Sequence, residues 1–393
     1  MLPLPGVHGR QTQSKVQNEA PSAEDLQRFL FNLLLYGFVL TASFGLWTLL
    51  LLASSHDRVH MVSPWRCVLA IAVPTYVYLR GVRHGATSYG GAVLGVFTAF
   101  LLSVTSYCYL ATFIIFFYTT VHLRYWRLER LSSTSASKVH AGKVQDEYEL
   151  EQTSKEEWEK FPKSRCAKLI KTWPRRLKAV ITTKDEPWSC TRVFCRFALP
   201  GELALFSLLE SGSCEIPIDF HHNYAASWLV LAFLTAISSA CGDAWATEFG
   251  KVLGSGQPVL ITTLQPVPAG TTGGVTLAGL SASFAGGLSM GLTYLATLVL
   301  ASEEQPMWPI ASQWPLVLFG GVAGLLGYLL NSYLGAEFQF SGFHTKLGMV
   351  VERPGPDVLQ ITGKPVFDND AIDLLSAILL SLTLPGLAVR LWP

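Results

Sequence analysis

Three short segments of this chain set oxygen-bearing side chains beside apolar runs. Asp243 and Glu248 lie in CGDAWATEFGK, Asn331 and Glu337 in LNSYLGAEFQ, and Asp368, Asn369, Asp370 and Asp373 in GKPVFDNDAID. Carboxylates are expensive at membrane depth and mark function when they are found there. Several carboxylates converging without matching Lys or Arg would require a cation. Oxygen-only ligands favour Mg²⁺ or Mn²⁺ over Zn²⁺, and a metal that holds phosphates follows from such a donor set. A plainer reading makes Asn369 and Asp370 the cap of a helix whose positive end welcomes acids. Asp243 and Glu248 are separated by about 140° around a regular helix, so they would share a ligand only if Gly242 or Gly250 breaks it. Asp243 and Thr247, at i and i+4, would share a face.

The stretch between the first two segments, KVLGSGQPVLITTLQPVPAGTTGGVTLAG, carries a single charge at Lys251 among Gly, Thr and Pro. Thr271, Thr272, Gly273 and Gly274 precede an apolar helix, and their backbone N–H groups could receive a phosphate at its start. The alternative is a glycine-rich turn that lets helices pack tightly. Neither Gly250-Lys251 nor Gly363-Lys364 has the upstream glycine and following Ser or Thr of a Walker A sequence, which excludes a soluble P-loop kinase. His221 and His222, beside Asp219, read as solvated loop residues. Seven scattered cysteines without a CxxC pair read as reduced thiols.

The elements that must position these residues follow from composition. Half of the 393 residues are apolar, 15% are charged and the mean hydropathy is +0.35, which excludes an ordinary soluble enzyme. A crossing needs roughly 20 apolar residues, and the clearest runs are Phe29 to Ala53, Trp65 to Leu79, Tyr224 to Cys241, Trp314 to Leu330 and Ala371 to Val389. Gly90 to Val121 is uncharged and too long for one crossing, so it divides near Ser103 to Ser106. Gly273 to Ala301, interrupted by glycines, is either one tilted helix or a re-entrant piece followed by a span. Phe197 to Leu209 is short and carries Glu202. GxxxG spacings at Gly91/Gly95, Gly250/Gly254, Gly287/Gly291 and Gly320/Gly324 read as helix-packing contacts.

The expected fold is an all-α polytopic integral membrane protein of about nine transmembrane helices, with glycine-broken segments and one long polar cytosolic loop. Residues 1–27 form a disordered polar tail, 28–121 the N-terminal helices, 122–196 the basic loop and 197–393 the C-terminal helices that carry the site. The 122–196 segment holds 17 of the 29 Lys and Arg against 10 of the 28 acids. The positive-inside rule therefore places it in the cytosol, with Arg10, Lys15 and Arg28. Arg58 and Arg66 then fall on the far side. In this arrangement all three acidic segments face the cytosol.

The ordered set GDAWATEFG, ITTLQPVPAGTTGGVTLAG, NSYLGAEFQ and GKPVFDNDAIDLLSA resembles the integral-membrane family once labelled domain of unknown function 92, and SPWR, LPGELALF and EIPIDF extend the likeness. That family includes the plant phytyl-phosphate kinase and is more distantly similar to dolichol kinases and phosphatidate cytidylyltransferases. The resemblance carries the family's GD-x-x-x-x-E acids onto Asp243 and Glu248, its G-T-x-G-G segment onto Gly270 to Gly274, and its late N-D pair onto Asn369 and Asp370. Where the family commonly has Asp-Ser-x-L-G-A, this chain has Asn331 in place of the acid. An amide oxygen can still ligate Mg²⁺ but adds no charge.

The resemblance implies a prenyl (phytyl, geranylgeranyl or farnesyl) monophosphate kinase in an internal membrane such as the endoplasmic reticulum, with CTP or another nucleoside triphosphate as donor. Asp243, Glu248, Asn331 and Asp370 would hold Mg²⁺, while Thr271 to Gly274, Gly270, Asn369 and Lys251 or Lys364 would contact phosphate. The expected partners are the membrane and a prenyl-phosphate lipid, with a homodimer as an option and no nucleic acid. Two rival functions fit the same residues: a transporter or scramblase whose acids line a midplane pathway, and a catalytically inactive structural member.

Overall fold

The computed structural model describes residues 89–124, 126, 127, 130, 189–253, 257–301, 313–345 and 349–392, together with the isolated helical positions Leu34, Val68, Ala72 and Tyr76. The expectations for the tail at 1–27, for the spans at Phe29 to Ala53 and Trp65 to Leu79 and for the loop at 131–188 lie outside these residues. Seven helices are described where about nine spans are expected. They are α1 (Tyr89–Thr105), α2 (107–124), α3 (Cys190–Ser211), α4 (Tyr224–Leu253), α5 (Leu277–Ala301), α6 (Pro315–Phe338) and α7 (Asn369–Leu391). By length and composition, four among the described residues are fit to cross a membrane: Tyr224–Gly250, Leu277–Ala301, Pro315–Phe338 and Asn369–Arg390.

The long uncharged run does divide, at Ser106. Its hydroxyl accepts from the Cys108 N–H at 3.1 Å, and the Glu215 carboxylate accepts from the Tyr107 N–H at 2.8 Å, so a new helix starts there with its first amides satisfied. Gly90 lies against Cys190 and the Thr105 hydroxyl reaches the Ala204 carbonyl, whereas Tyr109 bonds Ser207 and Phe113 and Phe116 return to Phe197. α1 and α2 thus run out and back along α3. The glycine-rich run resolves as one continuous helix, α5, preceded by a turn.

α4, α5 and α6 form the centre of the bundle, and small residues set how closely they approach. Gly287 faces the backbone of Gly320 and Gly324, Gly291 faces Leu316 and Val317, and Gly242 on α4 faces Gly324. Two of the four GxxxG spacings therefore pack against each other. A methyl group on Gly287 would strike the Gly320 carbonyl. Gly287→Ala is expected to cost ~1–3 kcal/mol by overpacking, visible as a lower Tm in detergent. An unchanged Tm would contradict this packing. Phe233, Leu234, Ile237, Met290, Leu298 and Leu316 are fully buried between these helices.

The chain is not wholly helical. β1 (Val259–Leu260) pairs with β2 (Gly274–Val275), and β3 (Ser341–His344), β4 (Met349–Val351) and β5 (Val358–Thr362) form an antiparallel sheet in the order β4-β3-β5. Both sit in the connections beyond helix ends, where alternating side chains and Pro/Gly turns favour strand pairing over helix. The Thr272 N–H donates to the Ser341 hydroxyl at 3.2 Å, and the Thr362 hydroxyl donates to the Ala336 carbonyl at 2.8 Å. These bonds tie the two small sheets to each other and to the end of α6.

Candidate functional site

α4 reaches its end, α6 reaches its end, and α3 and α7 begin at the same end of the bundle. There the side chains of Asp243, Asn331, Asp370 and Asp373 meet two arginines. The Asn331 amide N–H₂ donates to Asp243 at 3.0 Å and to Asp373 at 2.7 Å. On the other side of the same pair, Arg196 Nη2 lies 2.9 Å from Asp373 and 3.3 Å from Asp243. Arg192 Nε lies 3.3 Å from Asp370. The side chains of Arg196 and Asp373 are 12% and 8% exposed, so these charges act on one another largely unscreened.

Local sequence explains the arrangement. The Asp368 carboxylate accepts from the Ala371 N–H at 2.8 Å and caps α7. The capping role considered for Asn369 and Asp370 thus belongs to their neighbour, and Asn369 is exposed. Asp370 and Asp373, at i and i+3, project from one face of the first turns of α7. Ser189 caps α3 by accepting from the Arg192 N–H at 3.1 Å, which starts that helix before the basic residues. Arg192 and Arg196, at i and i+4, then face the acids. Residues 190–196, the last of the expected 122–196 loop, are thus the first of α3.

Three other expectations change. First, the acids do have matching cations, brought from α3. Second, α4 is unbroken through Gly242 and Gly250, and Glu248 points elsewhere. It forms an ion pair with Arg127 at 2.8 Å, with side chains 14% and 6% exposed, beside the packed rings of Trp126, Phe249 and Trp245. The predicted pairing of Glu248 with Asp243 at one metal is not the geometry found. Third, the glycine-rich turn is largely occupied with its own folding. The Thr271 N–H donates to the Pro268 carbonyl, the Thr272 N–H to Ser341 and the Gly274 N–H to the Thr271 carbonyl. Gly273, in a left-handed conformation at φ 81°, lies against Ser332 and Ala336 of α6. The turn serves close packing on α6, and Gly270 is exposed at its edge.

Lys364 is exposed before α7, its N–H donating to the Glu337 carbonyl. Lys251 closes α4, and its side chain lies outside the described residues. Glu337 is exposed. His221 and His222 are exposed at the opposite end of α4. There the His222 amide and ring and the His221 amide hold the Asp219 carboxyl below the usual carboxylate range. Among the described residues Cys108, Cys190, Cys195, Cys214 and Cys241 are reduced thiols.

The Glu248 assignment can be separated from a metal-binding one. Glu248→Gln removes the carboxylate charge that pairs with the buried Arg127 and is expected to lower Tm. Replacing both partners, Arg127→Met with Glu248→Leu, should recover most of that loss together with function. Recovery of Tm without function would return Glu248 to the site.

Among the described residues no group of three Asp, Glu, His or Cys is already arranged as a metal cage. Three carboxylates and an amide oxygen are nevertheless the donor types that a hard cation takes. The Asn331 side-chain oxygen is buried without a hydrogen-bond partner. It is one of eight such buried side-chain atoms among the described residues, and it belongs to the residue that bridges Asp243 and Asp373. Asp243 and Asp373, with Asp370 adjacent, are the residues that would hold Mg²⁺; Asn331, expected as a ligand, turns its N–H₂ group to both carboxylates and would fix their spacing.

A family profile described as integral membrane protein DUF92 matches residues 170–381. Protein PGR of Arabidopsis thaliana is 36% identical over 195 residues, which is 48% of this chain and 65% of that protein. An uncharacterized membrane protein of Synechocystis is 33% identical over 133 residues, 34% of this chain and 46% of its own length. One from Methanocaldococcus jannaschii is 28% identical over 139 residues, 35% and 52% respectively. The matched stretch thus spans less than two-thirds of each relative. No solved structure matches. The matched region contains α3 through most of α7, and with them every residue of the acid and arginine cluster.

Proposed function

The chain belongs to the DUF92 family of integral membrane proteins, and on that premise we propose that it is a membrane kinase that converts a prenyl monophosphate to the diphosphate, with a nucleoside triphosphate, CTP foremost, as donor. The observation that carries this reading is the convergence of Asp243, Asp373 and Asn331 from three helices at one end of the bundle, with a buried amide oxygen left over. Asp243 lies about 10 Å along α4 from Gly250, and Asp370 is in the first turn of α7. We read the cluster as lying nearer that end of the helices than their middle, within reach of both a lipid phosphate and a water-soluble nucleotide.

Phosphoryl transfer needs positioning and charge neutralisation more than covalent help from the protein. The acceptor is an oxygen of the prenyl monophosphate, already anionic, so no general base is required. It forms a bond to the γ-phosphorus while the bond from that phosphorus to the β–γ bridging oxygen breaks, and the nucleoside diphosphate leaves with the electron pair. Mg²⁺, when bound, supplies positive charge to the phosphate oxygens. Asp243 and Asp373 supply the negative charge that would retain it, and Asn331 fixes the spacing of the two carboxylates. The prenyl chain would lie among the apolar helices, and the cytosol is the side on which CTP would be met.

Purified protein in nanodiscs tests the substrate class. With Mg²⁺ present, geranylgeranyl or phytyl monophosphate should raise Tm, and geranylgeraniol or phytol should not. Equal stabilisation by phosphate and alcohol would contradict the reading. A proteoliposome flux of ions or lipid without any diphosphate product would favour the transporter.

A further inference from the structure

We infer that Arg196 and Arg192 form a two-step phosphate ladder, in which guanidiniums that now bridge the acids pass to the oxygens of an incoming phosphate. The inference rests on the kinase reading for the identity of the lipid, but its geometry is independent of that identity. Two different groups bridge Asp243 and Asp373. Asn331 does so with a neutral amide through Oδ1 of each acid, and Arg196 does so with a cation through Oδ2 of each. The amide can keep the carboxylates in place while the cationic bridge is exchanged for another cation.

The closest contacts of Arg196 to the two acids come from the same nitrogen, Nη2, at 2.9 and 3.3 Å. That nitrogen spans the pair. A guanidinium binds best when two of its N–H groups meet two oxygens of one planar or tetrahedral anion, and phosphate offers that match. Arg192 is one helical turn away, about 6 Å along α3, and its side chain is 37% exposed against 12% for Arg196. An anion arriving from outside the bundle would meet Arg192 first and Arg196 at the acids. Three carboxylates here face two guanidiniums, so when phosphate draws the arginines away, the acids are left with charge that a divalent cation can balance. Phosphate and metal would then bind cooperatively, each making room for the other.

The same chemistry could come from the lipid monophosphate or from the nucleotide, and the test separates them. Wild type, Arg196→Gln and Arg192→Gln are titrated with Mg²⁺ alone, with geranylgeranyl monophosphate plus Mg²⁺, and with CTP plus Mg²⁺, and Tm is recorded for each. Arg196→Gln should bind Mg²⁺ alone at least threefold more tightly, because a competing cation is gone, and should bind at least one phosphate ligand at least tenfold more weakly. Arg192→Gln should weaken the same ligand with little change in Mg²⁺ affinity or Tm. If Arg196→Gln loses metal and phosphate affinity together, or changes neither, the ladder is overturned and Arg196 is a structural clamp. If Arg196→Gln does not fold, Arg192→Gln decides: unchanged phosphate affinity overturns the ladder. A wild type that binds CTP but no prenyl phosphate removes the kinase reading and leaves the ladder to be judged on the CTP arm. A wild type that binds neither removes both.

Discussion

Asp243→Asn should lower turnover by roughly a hundred- to a thousandfold in a protein that still folds. The amide is nearly isosteric, and its oxygen can continue to accept from Asn331, as the Asp243 carboxylate does at 3.0 Å. Arg196 keeps its closer partner, Asp373, at 2.9 Å, so no cation is stranded in the interior and Tm should fall by only a few degrees. What is removed is one full negative charge from the donor set proposed for Mg²⁺. Loss of one preorganised electrostatic contact to a developing phosphoryl charge costs roughly 3–4 kcal/mol in the barrier, and each 1.36 kcal/mol is tenfold. The measurement is transfer of labelled γ-phosphate from CTP to geranylgeranyl monophosphate, with Tm as a control. Full activity would remove Asp243 from the site.

Asn331→Asp should have the second-largest effect, and it should depend on metal. The Asn331 N–H₂ group donates to both Asp243 and Asp373 at 3.0 and 2.7 Å. A carboxylate there would turn two attractive contacts into two repulsions in a place where Arg196 is the bridging cation. At an effective dielectric constant near 20, unit charges at such separations interact by about 4 kcal/mol. A loss of about 2–4 kcal/mol of stability without divalent metal is therefore expected, seen as a lower Tm in chelator. Added Mg²⁺ should restore Tm, and the half-saturating metal concentration should lie at least tenfold below that of wild type, because ligand charge is a main determinant of affinity for hard cations. If Asn331 instead donates to the substrate phosphate, the variant would raise KM and leave the metal titration where it was. A Tm indifferent to metal in both proteins would place Asn331 outside any cation site.

The parts of this architecture that depend on local composition were legible in the sequence. The spans at Tyr224 to Cys241 and Ala371 to Val389 fall within α4 and α7, that at Trp314 to Leu330 begins one residue before α6, and the division of the long run falls at Ser106, at the end of the interval expected. Helix periodicity also makes Asp370 and Asp373 neighbours, and that spacing was enough to have included Asp373 among the site residues. The arginines were not legible in the same way. Arg192 and Arg196 end a stretch rich in Lys and Arg, and their partners lie 47 to 178 residues further along the chain. Nothing in the local pattern distinguishes them from solvated loop charges except that they are four apart at the start of an apolar helix. Glu248 misled for the opposite reason. Its spacing from Asp243 fits a motif, but an unbroken α4 turns it toward Arg127, and only packing against α2 reveals that. The short strands escaped because two to five residues of alternation inside polar connections are too brief to separate from loop.

The central claim is that the end of the bundle where Asp243, Asp373, Asn331 and Arg196 meet transfers phosphate to a membrane lipid phosphate. The most direct measurement is ³¹P NMR of purified protein in nanodiscs containing geranylgeranyl monophosphate, with CTP and Mg²⁺ supplied. The single resonance of the monophosphate should be replaced by the coupled pair of a diphosphate as CDP accumulates in equal amount, with no conversion in chelator or in Asp243→Asn. A wild-type sample that leaves the monophosphate resonance unchanged, with CTP and with each other nucleoside triphosphate, would contradict the account.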